Sequence, residues 1–220
     1  IFFSNLAIPL VGIVDTSLMG HMENERYLIA VSISTTFLTV IFWSFGFLRM
    51  GTVGLVSQTL GKGDYRELVN IVLRNIFIAI FIGFIIIILK PLLIIVLDQV
   101  FKTSTETKSL MNDYISIRVF SAPLELIAYV LVGFYLGIQK TFISSLMIII
   151  SSLLNIFFSI YFVKELNLNV SGVAFGTLLA FCVTIIIFSI YTYFFIIKKF
   201  KVIPRFKTKI ILNYKKILKL

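Results

Sequence analysis

The 220-residue chain is 59% hydrophobic, with a mean hydropathy of +1.06 and a formal net charge of +10. Its apolar share stands far above the ~45–50% of soluble domains, which excludes an ordinary soluble enzyme or binding module. One cysteine, Cys182, and one histidine, His21, exclude an internal disulfide framework, a cysteine metal site, a His cluster and a Ser/His/Asp catalytic set.

Several apolar runs reach the ~20 helical residues needed to cross the ~30 Å hydrocarbon core. The run 76–89 does not alternate in polarity, so a membrane β-barrel is excluded and the fold class is all-α, a polytopic membrane protein. About six spans are predicted: 1–18, 28–60, 68–97, 114–137, 142–163 and 170–197. The chain opens at Ile1 inside an apolar segment with no basic flank, and Asp15 interrupts that segment, so it does not read as a signal peptide. The expectation is that an initiator segment precedes it.

Several predicted helices carry breakers. Pro9 removes a backbone donor from the first span and frees the Asn5 carbonyl, which predicts a kink. Gly46, Gly51 and Gly54 fall in the second span, Pro91 near the outer end of the third, and Pro123 within the fourth. Between the second and third spans, Gly61-Lys62-Gly63-Asp64 lacks P-loop spacing and reads as a tight turn capping two helices.

Charge sets the expected orientation. Nine of the twenty Lys and Arg fall within 198–219, next to the last span. Such a tail reads as a cytoplasmic segment beside anionic lipid, and no base-reading motif accompanies it, so nucleic acid is not an expected partner. With the tail cytoplasmic and an even number of spans, both ends of the chain are expected in the cytoplasm. The predicted organisation is a six-helix membrane lobe, 1–197, followed by a basic linker, 198–220.

The functional signal lies in the polar groups inside the spans. An Asp in hydrocarbon costs roughly 2.5–3.5 kcal/mol even on the lenient insertion scale, so Asp15 reads first as a functional residue. It shares a helix face with Gly12, Val11 and Ile8, and the preceding turn adds Asn5 and Ser4. The alternative is a structural Asp bonded to a neighbouring helix. At 1.5 Å per residue Asp15 lies roughly 8 Å below the outer end of its span, and Asn155 on the order of 12 Å below the end of the fifth, so one layer can hold both. Arg49 lies about 30 Å along the second span and is expected to snorkel or pair near the cytoplasmic side. Glu125, about 16 Å into the fourth span, lines a substrate cavity or pairs with another helix. Arg118 reads as an interfacial anchor, and Lys90 as a snorkelling lysine. Phe37, Phe42, Trp43, Phe45 and Phe47 give the second span an aromatic character, suited either to packing or to stacking on flat lipophilic cations.

Two runs carry a resemblance: Pro9-Leu10-Val11-Gly12-Ile13-Val14-Asp15-Thr16, closing in Gly20-His21, and Phe42-Trp43-Ser44-Phe45-Gly46-Phe47-Leu48-Arg49-Met50-Gly51-Thr52. Ile117-Arg118 with Ala122-Pro123, Gly137-Ile138-Gln139-Lys140-Thr141, and Asn155 with Gly172-Val173-Ala174 add to it. At these residues the chain resembles the multidrug and toxic compound extrusion (MATE) family, in its DinF-like branch.

The resemblance implies one lobe of a two-lobe, twelve-helix exporter that rocks between inward- and outward-open states. It implies that Asp15 is the cation-coupling carboxylate, with Asn155 as the matching polar group on the fifth helix. Many members carry an acid four residues after that position, where this chain has Ser159. That departure favours proton over sodium coupling. Glu125 is not carried over from the family; with it, as read from the residues themselves, the expected cavity comprises Asn5, Gly12, Trp43, Glu125 and Ser159, with Pro9 as the conformational element and no metal or organic cofactor. The implied function is export of organic, often lipophilic cationic compounds from a bacterial-type inner membrane, with a second lobe as partner. Two further readings stay open: a lipid-linked oligosaccharide flippase of similar architecture, and a truncated, non-transporting membrane protein.

Overall fold

The computed structural model describes residues 2–20, 22 and 25–204, with the side chains of 2–10 outside that description. Helices account for nearly all of it. In chain order they are α1 (Phe2–Gly20), α2 (Glu25–Ser44), α3 (Phe47–Gly61), α4 (Tyr65–Ile88), α5 (Lys90–Val100), α6 (Thr105–Arg118), a 3-10 turn (Val119–Ser121), α7 (Ala122–Gly137), α8 (Thr141–Lys164) and α9 (Asn169–Phe200). Among the described residues, five helical segments are long and apolar enough to cross a membrane. These are Glu25–Gly61, Tyr65–Ile88, Thr105–Gly137, Thr141–Lys164 and Asn169–Phe200, and Val11–Gly20 is a shorter apolar helix. The fold is a multi-pass, all-helical membrane lobe.

Three of the predicted spans are broken helices, and each break has a local cause. The second is interrupted at Phe45 and Gly46, where the amides of both residues bond to carbonyls three residues back, Phe42 and Trp43 (3.0 and 2.9 Å). Ser44 and Gly46 are poor helix formers, and the tighter turn separates α3 from α2. The third ends at Leu89, whose N–H bonds to the Ile85 and Ile87 carbonyls before Pro91 opens α5. The fourth is longer than predicted, beginning at Thr105. It tightens to 3-10 geometry just before Pro123, which has no N–H for the Val119 carbonyl; the Ala122 N–H takes that carbonyl instead. Average hydropathy hides the first two breaks, because both halves of those spans are apolar, whereas α6, ahead of the third, is polar in composition.

The Gly61–Asp64 segment forms the turn its composition predicts. Gly63 adopts φ +70°, and Asp64 accepts a hydrogen bond from the Glu67 N–H (3.0 Å) to cap α4.

α7 is the buried axis of the lobe. It packs on α3 and α4, while α8 lies against α9 and α1, and α6 lies between α2 and α9. Tyr114, Tyr135, Phe42 and Phe134 are among the largest fully buried side chains. Large apolar side chains such as Phe81, Ile88, Phe142 and Phe194 point outward, as a lipid-facing surface requires. Asn75 on α4 donates to the Thr52 hydroxyl on α3 (2.8 Å), so a polar group in the interior is satisfied between helices. At the ends of two spans, an Arg26–Glu106 ion pair ties the start of α2 to the start of α6.

Small residues set the closest helix approaches. A Cβ at Gly133 would lie 2.7 Å from the Arg49 carbonyl oxygen, and one at Gly137 would lie 2.8 Å from the Val56 side chain. α7 therefore reaches α3 through a Gly-x-x-x-Gly face, the arrangement that lets backbones come close in lipid. Replacing Gly133 with Leu forces this contact apart, and overpacking of this kind costs about 1–3 kcal/mol. Gly54, whose added Cβ meets nothing within 4 Å, is the control. Thermal unfolding in detergent should show a clearly lowered midpoint for Gly133→Leu and little change for Gly54→Ala; equal midpoints would refute the close-packing account.

Candidate functional site

The helices enclose a cavity of about 390 Å³, lined from α1, α2, α3, α6, α7, α8 and α9. Its wall is largely apolar with a few polar groups converging on it, the usual character of a small-molecule site. The polar groups fall into two adjoining clusters.

The first cluster surrounds Asp15. This residue is buried (8% exposed), and α1 carries it into the cavity beside Val11 and Gly12. Across from it, Asn155 on α8 donates its side-chain N–H to the Thr177 hydroxyl on α9 (2.9 Å), and Thr177 donates to its own helix at the Val173 carbonyl (3.0 Å). The Ser159 hydroxyl stands 3.4 Å from the Asn155 side-chain oxygen and also reaches the Asp15 carboxylate. With one hydroxyl proton, Ser159 can donate to one of them at a time. Asp15 Oδ1 has no hydrogen-bond partner among the described residues. It is the atom at which a proton or a small cation would bind.

Gly176 sets the position of Ser159. A Cβ there would lie 2.7 Å from the Ser159 backbone nitrogen and from its hydroxyl oxygen. Close approach of α9 to α8 at this point brings Thr177 to Asn155 and presses Ser159 toward α1.

The second cluster lies at the α6–α7 break. Arg118, the last residue of α6, pairs with Glu125 one turn into α7 (Nη2–Oε2 2.9 Å). Its other terminal nitrogen bonds to the Ser121 hydroxyl, which in turn donates to the Arg118 carbonyl (2.6 Å). Two rings hold the guanidinium, with the Phe42 and Phe181 centroids 5.3 and 5.6 Å from Cζ. Such contacts stabilise a desolvated cation by about 2 kcal/mol or more. Tyr114, one turn back on α6, is fully buried, accepts from the Thr35 hydroxyl (3.0 Å) and lies within reach of the guanidinium.

The sequence-predicted residues are distributed as follows. Asp15, Asn155, Gly12, Trp43 and Glu125 all line the one cavity. Ser159 does not. It is fully buried behind Asn155, because the Gly176 contact seats it between α8 and α9. Arg118 is a site residue rather than an interfacial anchor, since the α6–α7 break turns its side chain inward onto Glu125. Arg49, an exposed side chain, also lines the cavity. Of the aromatic group in the second span, Trp43 faces the cavity, Phe42 serves Arg118, and Phe37 and Phe45 pack on the core. The calls on Asn5 and Pro9 concern side chains outside the description, and His21 and the tail from 205 onward lie outside the described residues.

Sequence reasoning missed Tyr114, Phe181 and the hydroxyls of Thr35 and Thr177. It also missed the Arg118–Glu125 pair, for which a signal existed. Seven residues are two helical turns, so opposite charges at that spacing share a face, and a long guanidinium spans the gap.

Comparison with known proteins places this geometry. The MatE family model matches residues 1–161. DNA damage-inducible protein F of Escherichia coli K12 is 31% identical over 185 residues, covering 84% of this chain and 40% of that protein. The multidrug export protein MepA of Staphylococcus haemolyticus is 25% identical over 187 residues, covering 85% and 41%. Among solved structures, a MOP-superfamily transporter from Pyrococcus furiosus superposes with a TM-score of 0.84 at 20% identity, covering 98% of this chain and 47% of that one. An outward-facing multidrug resistance MATE transporter gives the same values. The chain thus spans about 40% of the length of these curated relatives and about half of the structural ones. The relatives that carry a functional name are export proteins and transporters, not enzymes. With a family model covering most of its length on a matching multi-pass helical fold, the chain belongs to the MatE family.

Proposed function

We propose that this chain is the N-terminal lobe of a cation-coupled antiporter that exports organic, often lipophilic cationic compounds by alternating access. The observation that carries the reading is Asp15, a buried carboxylate with one oxygen unpartnered, in a cavity shared with Asn155, Thr177 and an exposed aromatic wall. A second lobe would close the cavity, and the basic segment 198–220 would link the two. The relatives' length, more than twice the matched region, supports that organisation.

The coupling ion is a proton in this reading. Support comes from Ser159, a neutral hydroxyl where many members have an acid, so that Asp15 is the lone carboxylate of its cluster among the described residues. Binding and release of a proton at Asp15 Oδ1 would switch the carboxylate between accepting and donating, and so change what Ser159 and the neighbouring helices can bond. Two conformations that differ in these bonds are then biased by a single proton. The reading places the protein in a bacterial-type inner membrane with both ends of this chain cytoplasmic. A flippase for lipid-linked diphosphates would need several free basic groups; among the described residues the cavity offers Arg49 and Arg118, and Glu125 takes the latter.

The test is efflux of a fluorescent lipophilic cation from vesicles holding the full-length protein, with a proton gradient and a sodium gradient imposed separately. Proton-driven efflux should fall by at least about tenfold in Asp15→Asn, the loss expected when a coupling group is removed. Undiminished pH-driven efflux in that variant would overturn the mechanism, and sodium-driven efflux would replace the proton. Absence of efflux under both gradients would favour the flippase or a non-transporting protein.

Trp43 gives a second, independent check on the substrate class. Removing its indole should weaken binding of a flat aromatic cation by about 0.5–1 kcal/mol, roughly two- to fivefold, and leave a neutral ligand of the same shape less affected. Equal losses for both ligands in a fluorescence titration of Trp43→Ala would argue against cation recognition at this wall.

A further inference from the structure

Charge is distributed unevenly between the two ends of the lobe. The end formed by the α3–α4 turn, the α7–α8 turn and the close of α9 carries Lys62, Arg66, Lys140, Lys198, Lys199 and Lys201, all exposed. Among the described residues two acids stand there, and both are engaged: Asp64 caps α4, and Glu67 pairs with Arg74. The opposite end mixes its bases with Glu25, Asp98, Glu106, Asp113 and Glu165. Aromatic contacts gather part of the basic end into one corner. Tyr65 at the start of α4 stacks on Phe200 at the end of α9, their centroids 5.0 Å apart. The Lys199 ammonium lies 5.6 and 5.8 Å from the Phe195 and Phe200 centroids. Arg66 follows Tyr65 on α4, and Lys198 precedes Lys199 on α9.

We propose that this corner binds the headgroup of an anionic phospholipid: Arg66, Lys198 and Lys199 hold the phosphodiester, and Ile187, Ile190 and Phe194 on α9 bear an acyl chain. Those three apolar residues and Lys198 recur at the three- and four-residue spacing of one helix face, and all four are exposed. At 1.5 Å per residue the 32 residues of α9 run about 48 Å. That exceeds the ~40–45 Å of a bilayer with its headgroups, so the last turns of α9 lie at headgroup depth. A free phosphate would use the cations and leave the apolar face below them without a role; a phospholipid uses both. A guanidinium grips a phosphate through two parallel hydrogen bonds, and ammonium groups add point charges beside it. Each such cation near anionic lipid raises affinity about fivefold, less as salt rises. A lipid seated here bridges the first turn of α4 and the last turn of α9. The inference needs only the multi-pass fold and is independent of which ion binds at Asp15.

The experiment is native mass spectrometry of the full-length protein, equilibrated in detergent with equal amounts of phosphatidylglycerol and phosphatidylcholine. Wild type should retain phosphatidylglycerol over phosphatidylcholine by at least about tenfold. Arg66→Gln/Lys198→Gln/Lys199→Gln should bring that ratio close to one; its three changes are at exposed side chains, so the fold is retained. Lys90→Gln/Lys102→Gln/Lys164→Gln removes the same charge from the opposite end and should keep the wild-type ratio. A preference that survives in the first variant overturns the inference. Equal losses in both variants also overturn it, since the effect then follows net charge and not the corner. Inorganic phosphate that displaces phosphatidylglycerol no better than chloride of equal ionic strength supports a lipid site, whereas selective displacement would make it a free-phosphate site. A short RNA that binds wild type but not the first variant, with no lipid preference in either, would reassign the corner to nucleic acid.

Discussion

A carboxylate inside a membrane helix has to be reconciled with a medium that offers no water, and the arrangement of this lobe follows from how two of them are treated. Glu125 receives a cation, two supporting rings and a hydroxyl around that cation. Asp15 receives a serine, and one of its oxygens has no bond among the described residues. The same physical demand is met fully in one place and partly in another. A group left short of partners is the one whose state a proton can change at small cost, and a fully partnered group is the one that holds its neighbours in place.

Delivering these groups to one cavity requires helices that are not straight. In lipid, backbone irregularity is tolerated only where protein or a cavity satisfies the freed groups, and the α2–α3 and α6–α7 breaks both border the cavity. The first lies between Trp43 and Arg49, which both line the cavity, and Arg118 just before the second pairs with Glu125 just after it. Glycines on α7 and α9 then draw the backbones together tightly enough for short side chains such as Ser159, Thr177 and Thr52 to reach across. Large side chains at these contacts would have filled the same space with hydrocarbon and left the polar groups stranded.

Much of this was legible from residue order. The spans appear because hydrocarbon thickness fixes their length, and Gly61–Asp64 because only glycine relaxes into a left-handed turn beside an Asp cap. Asp15 and Asn155 come to one cavity as depth arithmetic on straight helices suggested. Arg118 was misjudged because its side chain's destination depends on the 3-10 turn ahead of Pro123, a change of helical pitch that composition does not display. Ser159 shows another limit. Its helix face is readable, but whether it meets the cavity or the next helix depends on how closely α9 approaches at Gly176, seventeen positions along the chain.

The contact between Gly176 and Ser159 carries a consequence for how such a protein can change over time. The backbone and hydroxyl of Ser159 press on Gly176, one of two residues of α9 that lack a side chain. Any larger residue at 176 would wedge α8 from α9 and withdraw the hydroxyl from Asp15, whatever occupied 159. The reach of Ser159 toward Asp15 is thereby bound to the spacing of two helices, and that spacing is kept by a hydrogen atom where every other amino acid has a carbon.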